Sequence, residues 1–103
     1  MARRIVWSQR AHLDRITIIK YWNTRNKSFG YSRKLNGLIE NTLQLISRYP
    51  FIGRPADFKN VRLKPVAEFL IIYRVSDEII EVLALWDCRR NPEELKNYFT
   101  IEQ

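Results

Sequence analysis

Apolar and polar positions alternate along two neighbouring stretches in the second half of the chain, residues 69–75 and 79–86. Such alternation places successive side chains on opposite faces of a β-sheet. Residues 76–78, between the two stretches, are the polar run Ser-Asp-Glu, which is typical of a turn. Both faces of the resulting hairpin are largely apolar. The pattern therefore predicts a central antiparallel hairpin that helices cover on at least one side.

The first part of the chain predicts a short strand followed by a helix. Residues 4–7 form the strand candidate, and Ser8 is a suitable N-cap for a helix that begins near Gln9 and ends at 23–26. The apolar residues of this helix fall on two adjacent ridges, which are Leu13, Ile16 and Ile19, and Ile18 and Trp22. Together they predict a wide apolar face that packs on the sheet.

A second helix is predicted over residues 29–49, and Pro50 ends it because the residue before a proline avoids the helical region. Gly37 within it costs up to about 1 kcal/mol relative to alanine, and we expect it to allow a close approach to the first helix. The predicted apolar stripe is Leu35, Leu38, Ile39, Thr42, Leu45, Ile46 and Tyr49. Two helices with a short link form an antiparallel helical hairpin.

The remaining segments complete the predicted order of elements. Residues 50–60 are expected to be irregular, and residues 61–64 form a strand that Pro65 interrupts. Asn91 and Pro92 are typical of a helix start, so a short helix is predicted over 92–99. The sequence thus predicts an α+β fold, in which the helical hairpin packs on a small antiparallel sheet in the order β-α-α-β-β-β. One domain spanning residues 1–103 is expected.

The chain is basic, with a net charge of +7 that comes from 18 Lys and Arg against 11 Asp and Glu. Twelve of these cations are arginines, whose guanidinium groups suit bidentate contacts with phosphate or carboxylate. The charge indicates an acidic partner, either a nucleic acid or an acidic protein, and a solvated basic surface is the alternative.

One cysteine excludes an internal disulfide, and a single histidine with that cysteine cannot supply a usual metal site. We expect no cofactor, because the three glycines form no phosphate-binding loop. No apolar run approaches the length of a membrane span. A cytoplasmic protein without membrane contact is therefore expected.

Several segments together resemble the RelE/ParE superfamily of bacterial toxins. They are the Tyr-Pro-x-Ile-Gly-Arg-Pro turn at 49–55, Val61-Arg62, and residues 69–75, 80–85 and 89–92. The resemblance covers nearly the whole chain and is closer to ParE. It implies a toxin of a type II toxin–antitoxin system that arrests growth when free and that a cognate antitoxin neutralises.

The superfamily contains two mechanisms. RelE-like members cut mRNA on the ribosome, and resemblance to them would make Arg62, Lys64, Arg89 and Tyr98 the catalytic candidates. However, this chain has Leu70 where the ribonucleases carry arginine. It also has Asp87 where many relatives carry histidine. These departures favour ParE-like inhibition of DNA gyrase without catalysis, and the ribosome-dependent endoribonuclease stays open as the alternative.

Candidate residues for binding the target or the antitoxin are Arg54, Arg62, Trp22, Asp87, Arg89 and Arg90. The arginines would form a basic patch, or else would pair with acids such as Asp87, and Trp22 would line a groove for the antitoxin. Arg74 is expected to pair with Glu81 across the hairpin. Cys88 lacks a neighbouring histidine, so a nucleophilic role is disfavoured, although Arg89 would lower the pKa of its thiol.

Overall fold

The helices and strands follow the predicted order in a computed structural model that describes residues 2–26 and 29–89. The elements are β1 (Arg4–Trp7), α1 (Gln9–Asn26), α2 (Gly30–Arg48), β2 (Arg54–Pro55), β3 (Val61–Val66), β4 (Phe69–Val75) and β5 (Ile79–Asp87). The predicted α+β fold with a helical hairpin is confirmed. The helix predicted over 92–99 lies outside the described residues.

The five strands form one sheet in the order β1-β5-β4-β3-β2, with β4 at its centre and β5, the other strand of the hairpin, beside it. β1 pairs with β5 in parallel, so the sheet is mixed. The two-residue strand β2 lies within the segment that was expected to be irregular. The sequence did not predict it, because a run of two residues is too short to show alternation. β3 continues through Pro65 to Val66. β2 pairs only with Arg62 and Leu63, so Pro65 sits at an open edge, where a missing N–H is tolerated.

Polar contacts fix how α1 lies on the sheet. The hydroxyl of Ser8 accepts a hydrogen bond from the Ala11 backbone N–H at 3.0 Å, which confirms the predicted N-cap. The same hydroxyl donates to the Leu83 carbonyl at 3.0 Å. Six residues after Ser8, a carboxylate oxygen of Asp14 accepts a hydrogen bond from the Leu85 backbone N–H at 3.1 Å. The helix face that carries these groups must therefore face β5.

The orientation that these hydrogen bonds give α1 turns one of its two predicted apolar ridges towards the sheet. Ala11 is fully buried, and Ile18 and Trp22 pack against the core. Leu13 is 52% exposed and Ile16 is 37% exposed, so the expectation that their ridge packs on the sheet is wrong. The reason is geometric, since the hydrogen bond from Leu85 to Asp14 turns the other ridge inward.

α2 buries Leu35, Ile39 and Ile46 of its predicted stripe, and it also buries Leu43, which the predicted stripe did not include. Leu38, Leu45 and Tyr49, also predicted to face inward, are exposed. A Cβ atom built on Gly37 would meet no atom within 4 Å. The expected close approach of the helices at Gly37 is therefore wrong.

The sheet buries side chains on both faces. The face under the helices contains Phe69, Ile71 and Tyr73 of the central hairpin. The opposite face contains Val61, Leu63, Ile72, Leu83, Ala84 and Trp86, against which Ala56 and Phe58 of the β2–β3 loop pack. At the exposed end of the hairpin, Arg74 and Glu81 pair at 3.6 Å, as predicted. Within residues 2–26 and 29–89, no helix is long and apolar enough to cross a membrane.

Candidate functional site

A cavity of about 310 Å³ opens between α1 and the end of the central hairpin. We call it the α1–β5 pocket, and its lining residues are Asp14, Thr17, Ile18, Tyr21, Trp22, Phe69, Leu85, Asp87 and Arg89. Three of the predicted binding residues, Trp22, Asp87 and Arg89, therefore meet in one place. The polar members of the lining include carboxylates and a guanidinium, and its apolar members come from both α1 and the sheet.

Asp87 holds the Arg89 guanidinium in a bidentate ion pair. Nε of Arg89 donates to one carboxylate oxygen at 3.0 Å and Nη2 to the other at 2.7 Å. The Arg89 backbone N–H also donates to Asp87, at 2.9 Å. These bonds raise the pKa of Arg89 above its ordinary value, so the guanidinium stays charged. The alternative expectation, that Arg89 pairs with Asp87, is confirmed.

Aromatic rings form the side of the pocket beside Arg89. Its guanidinium carbon lies 5.6 Å from the Trp22 ring centroid and 5.8 Å from that of Tyr21, within cation–π range. Trp22 meets Tyr21 and Tyr31 edge-on, with ring centroids 5.1 and 4.6 Å apart. The indole Nε1 of Trp22 is buried and has no acceptor among the described residues. The pocket thus combines a fixed cation with aromatic surface.

Arg62 belongs to a different cluster, at the turn that follows α2. Its Nη1 donates to the Phe51 carbonyl at 3.0 Å and to the Gly53 carbonyl at 2.6 Å, and the guanidinium stacks 5.0 Å from the Phe51 ring centroid. The buried Tyr73 hydroxyl donates to the Pro50 carbonyl at 2.8 Å and accepts the Gly53 N–H at 3.0 Å. Burial raises the pKa of Tyr73, opposed by the Gly53 N–H and by Arg62. We call this arrangement the Tyr73–Gly53 latch.

The sheet register keeps Arg62 apart from Arg89. Arg62 pairs with Tyr73 of β4, and Asp87 pairs with Phe69 of the same strand. Four residues of strand separate these positions, which is about 13 Å at 3.3 Å per residue. Arg62 is turned towards the turn carbonyls and Arg89 towards Asp87.

The other predicted site residues fall in several places. Lys64 pairs with Ile71 in the register, between the rows of Arg62 and Asp87. Arg54 is exposed on β2 opposite Leu63. Arg90 and Tyr98 lie outside the described residues. Among the residues that are described, the cations expected for RNA cleavage do not converge on one point.

Sequence reasoning did not select Tyr21, Asp14 or Tyr73 as site residues. A buried tyrosine in a strand resembles any other core aromatic in sequence. The only sequence signal that could have pointed to the Tyr73 contact was the glycine of the 49–55 turn, because a glycine marks a place where another group approaches the backbone closely.

Cys88 lies beside the pocket and is exposed. The pKa of its thiol is raised, chiefly by desolvation and then by the charge of Asp87, while Arg54 acts in the opposite direction. The expectation that Arg89 would lower this pKa is wrong, because Asp87 already binds its guanidinium. The raised pKa further disfavours a nucleophilic role.

We expect Asp87→Asn to increase the alkylation rate of Cys88 by iodoacetamide at pH 8 about two- to threefold. The substitution removes a negative charge that raises the thiol pKa, so the thiolate fraction at pH 8 increases. Glu81→Gln, which removes a carboxylate elsewhere on β5, is the control and should leave the rate unchanged. A slower reaction in Asp87→Asn would contradict this electrostatic account.

These features define a small α+β domain whose helical hairpin covers one face of a five-stranded mixed sheet, with an Arg–aromatic pocket at one end. A family model described as "ParE toxin of type II toxin-antitoxin system, parDE" matches residues 5–92. The chain belongs to this family of toxins. The resemblance to the RelE/ParE superfamily, closer to ParE, is therefore confirmed.

A solved structure titled "Chromosomal ParDE TA system from P. aeruginosa" has a similar fold, with a TM-score of 0.71. The alignment covers 84% of this chain and 96% of that chain at 18% sequence identity. At this identity the similarity shows the fold alone. No curated protein sequence matches the chain.

Proposed function

We propose that this ParE-family protein is a toxin that arrests growth by inhibiting DNA gyrase, without cutting RNA, and that an acidic antitoxin neutralises it. The observation that carries the proposal is the family match over residues 5–92. The separation of Arg62 from Arg89 supports a non-catalytic mechanism, because stabilising a phosphorane needs cations aimed at one point.

The α1–β5 pocket has the chemistry of a protein-binding site. Tryptophan, tyrosine and arginine are the residue types that most often dominate protein–protein interfaces. Trp22, Tyr21 and Arg89 are all present there, and the ion pair with Asp87 holds the guanidinium in place before binding. Because the guanidinium is fixed in advance, binding costs less conformational entropy. Arg54, Arg62 and Arg90 are the remaining candidates for contact with gyrase or with the antitoxin.

The net charge of +7 supports an acidic antitoxin. Opposite charges steer association and increase its rate, and the effect weakens as salt screens the charges. The antitoxin should therefore carry net negative charge, and its association rate should fall as ionic strength rises.

A paired assay tests the proposed mechanism. We expect the purified protein to block DNA supercoiling by gyrase, and the 5′ ends of ribosome-bound messages to be unchanged after induced expression. Preincubation with excess antitoxin is the control and should restore supercoiling. Codon-specific cleavage of messages with normal supercoiling would instead establish the endoribonuclease mechanism. In that case Arg62, Lys64, Arg89 and Tyr98 would be the residues to substitute.

A further inference from the structure

The positive charge of the chain is concentrated in the half of the helical hairpin where α1 ends and α2 begins. Residues 15–39 contain six lysines and arginines and no aspartate or glutamate. The other 78 residues carry twelve cations against eleven acids, a net charge of +1. Nearly all of the net charge of +7 therefore lies in one quarter of the sequence. Cations that cluster on one element, with acids excluded, are typical of a site for a polyanion.

The fold places four exposed cations at this end of the hairpin. Lys20 and Arg25 lie six residues and one residue before the end of α1. Arg33 and Lys34 lie three and four residues after the start of α2. At 1.5 Å per residue, each of them is within about 9 Å of that helix end along the axis. We call residues 17–26 and 29–34 the basic hairpin end.

Within residues 2–26 and 29–89, none of these four cations pairs with a carboxylate. Arg15 differs from them, because its guanidinium pairs with Glu40 at 3.0 Å. Arg25 donates to the neutral hydroxyl of Tyr21 at 3.4 Å and so keeps its net charge. Arg33 lies in the first turn of α2, which contains no acid and where a cation opposes the helix dipole. Helix stability therefore does not explain the arginine at this position.

The neighbours of these cations on α1 are suited to phosphate. One shallow depression on the helix surface is lined by Thr17, Lys20, Tyr21, Thr24 and Arg25. Two cations and two threonine hydroxyls therefore share one side of α1. Lysine, arginine and threonine side chains are common donors to the phosphate oxygens of DNA. This side of the helix thus offers several donors to a row of phosphates.

Aromatic rings at the basic hairpin end are mostly engaged with one another. Tyr21 and Tyr31 both meet the Trp22 ring edge-on, and Tyr21 also lies 5.8 Å from the Arg89 guanidinium carbon. Among the described residues of this surface, Phe29 is the one large exposed ring outside that cluster. Single strands bind by stacking successive bases on several rings, and a protein interface needs an apolar core. One ring supplies neither, so duplex DNA held through its backbone fits this surface best.

We propose that the basic hairpin end binds the phosphate backbone of double-stranded DNA without reading its sequence. The proposal goes beyond gyrase inhibition, because it gives this protein a contact with DNA that needs no gyrase. Lys20, Arg25, Arg33 and Lys34 would each neutralise a phosphate and release its counterion. Because gyrase acts on duplex DNA, the same contact would add to the affinity of the toxin for gyrase bound to DNA.

The test compares two triple variants of the full chain that have the same net charge. The hairpin variant removes three cations of the proposed site and is Lys20→Gln, Arg25→Gln and Arg33→Gln. The control variant removes three exposed cations outside it and is Arg4→Gln, Arg48→Gln and Lys59→Gln. Each set contains one lysine and two arginines, so both variants fall from +7 to +4. Circular dichroism melting checks that both are folded.

The probe is a fluorescein-labelled DNA duplex of about 30 base pairs, and its Kd is measured by fluorescence anisotropy between 50 and 200 mM KCl. If four cations contact phosphates, log Kd should rise with log salt with a slope of about 3.6, at about 0.9 per contact. The hairpin variant keeps one contact. We expect its slope to fall to about 0.9 and its Kd at 50 mM KCl to rise at least about 30-fold. The control variant should keep the slope and change the Kd less than about threefold.

Several outcomes would overturn the DNA site. Wild-type protein that binds no duplex at 50 mM KCl would do so, as would equal losses in both variants, because net charge alone would then govern binding. Tighter binding to a single strand of the same length would assign the surface to base stacking. If only the affinity for the purified antitoxin fell in the hairpin variant, the cations would serve an acidic protein. Because the probe is free DNA, each of these failures leaves gyrase inhibition standing, and supercoiling that stays normal leaves the DNA site standing.

Discussion

Gly53→Ala is expected to lower the free energy of unfolding by about 3 kcal/mol, the upper end of typical overpacking costs. A Cβ atom at this position would lie 2.6 Å from the Tyr73 hydroxyl oxygen and 2.9 Å from the Leu63 backbone carbonyl oxygen. The backbone oxygen belongs to β3 and cannot move alone. The turn would have to shift, which breaks the buried hydrogen bond between Gly53 N–H and the Tyr73 hydroxyl.

Gly37→Ala is the matched control, and it should raise stability by about 0.5–1 kcal/mol. Gly37 lies in the interior of α2 with no atom within 4 Å of a Cβ, so only the better helix propensity of alanine acts. Urea unfolding followed by circular dichroism measures both variants against wild type. A Gly53→Ala protein as stable as wild type would show that the latch does not restrain the turn.

The order of helices and strands was predictable because it depends on local rules. Alternation indicated β4 and β5, helical spacing indicated α1 and α2, and the Ser8 cap was confirmed at its predicted place. Each of these signals lies within a few residues of the chain. The mixed character of the sheet has no such signal, because the parallel pairing of β1 with β5 joins residues that are some 75 positions apart.

Helix rotation was predicted less well than helix position. α1 and α2 each carry apolar residues around much of their circumference, so hydrophobic periodicity did not identify which side of each helix faces the sheet. One long-range hydrogen bond from Leu85 to Asp14 makes the choice for α1 and leaves Leu13 in solvent. The same ambiguity applies to α2, where Leu38, Leu45 and Tyr49 were expected in the core and are exposed.

The pocket was predictable in its residues but not in its geometry. Trp22 was selected as an aromatic that could line a groove, and Asp87 and Arg89 as part of a charged cluster. Their meeting depends on how α1 crosses the end of β5, which sequence spacing does not encode. The same chemical reasoning selected Arg62 as a member of the charged cluster. In the structure, its guanidinium lies apart from the pocket and donates to the Phe51 and Gly53 carbonyls.

Arg89→Ala is expected to weaken gyrase inhibition at least about tenfold, measured as the toxin concentration that halves supercoiling. The substitution removes the cation that lies against Trp22 and Tyr21 and leaves Asp87 without its bidentate partner. An arginine fixed beside aromatic rings is the kind of residue that dominates a protein interface. The melting temperature should stay within about 2 °C of wild type, because surface ion pairs contribute little to stability.

Arg74→Ala is the matched control for this experiment. It removes an arginine of similar exposure, 44% against 51% for the Arg89 side chain, and it also breaks one surface ion pair. Arg74 lies outside the α1–β5 pocket, so its loss should leave inhibition unchanged. If both variants lose potency equally, the effect comes from net charge, since each substitution lowers it by one. If neither loses potency while wild type inhibits gyrase, the pocket does not contact the target. Loss in Arg89→Ala alone would therefore assign the contact to the pocket itself.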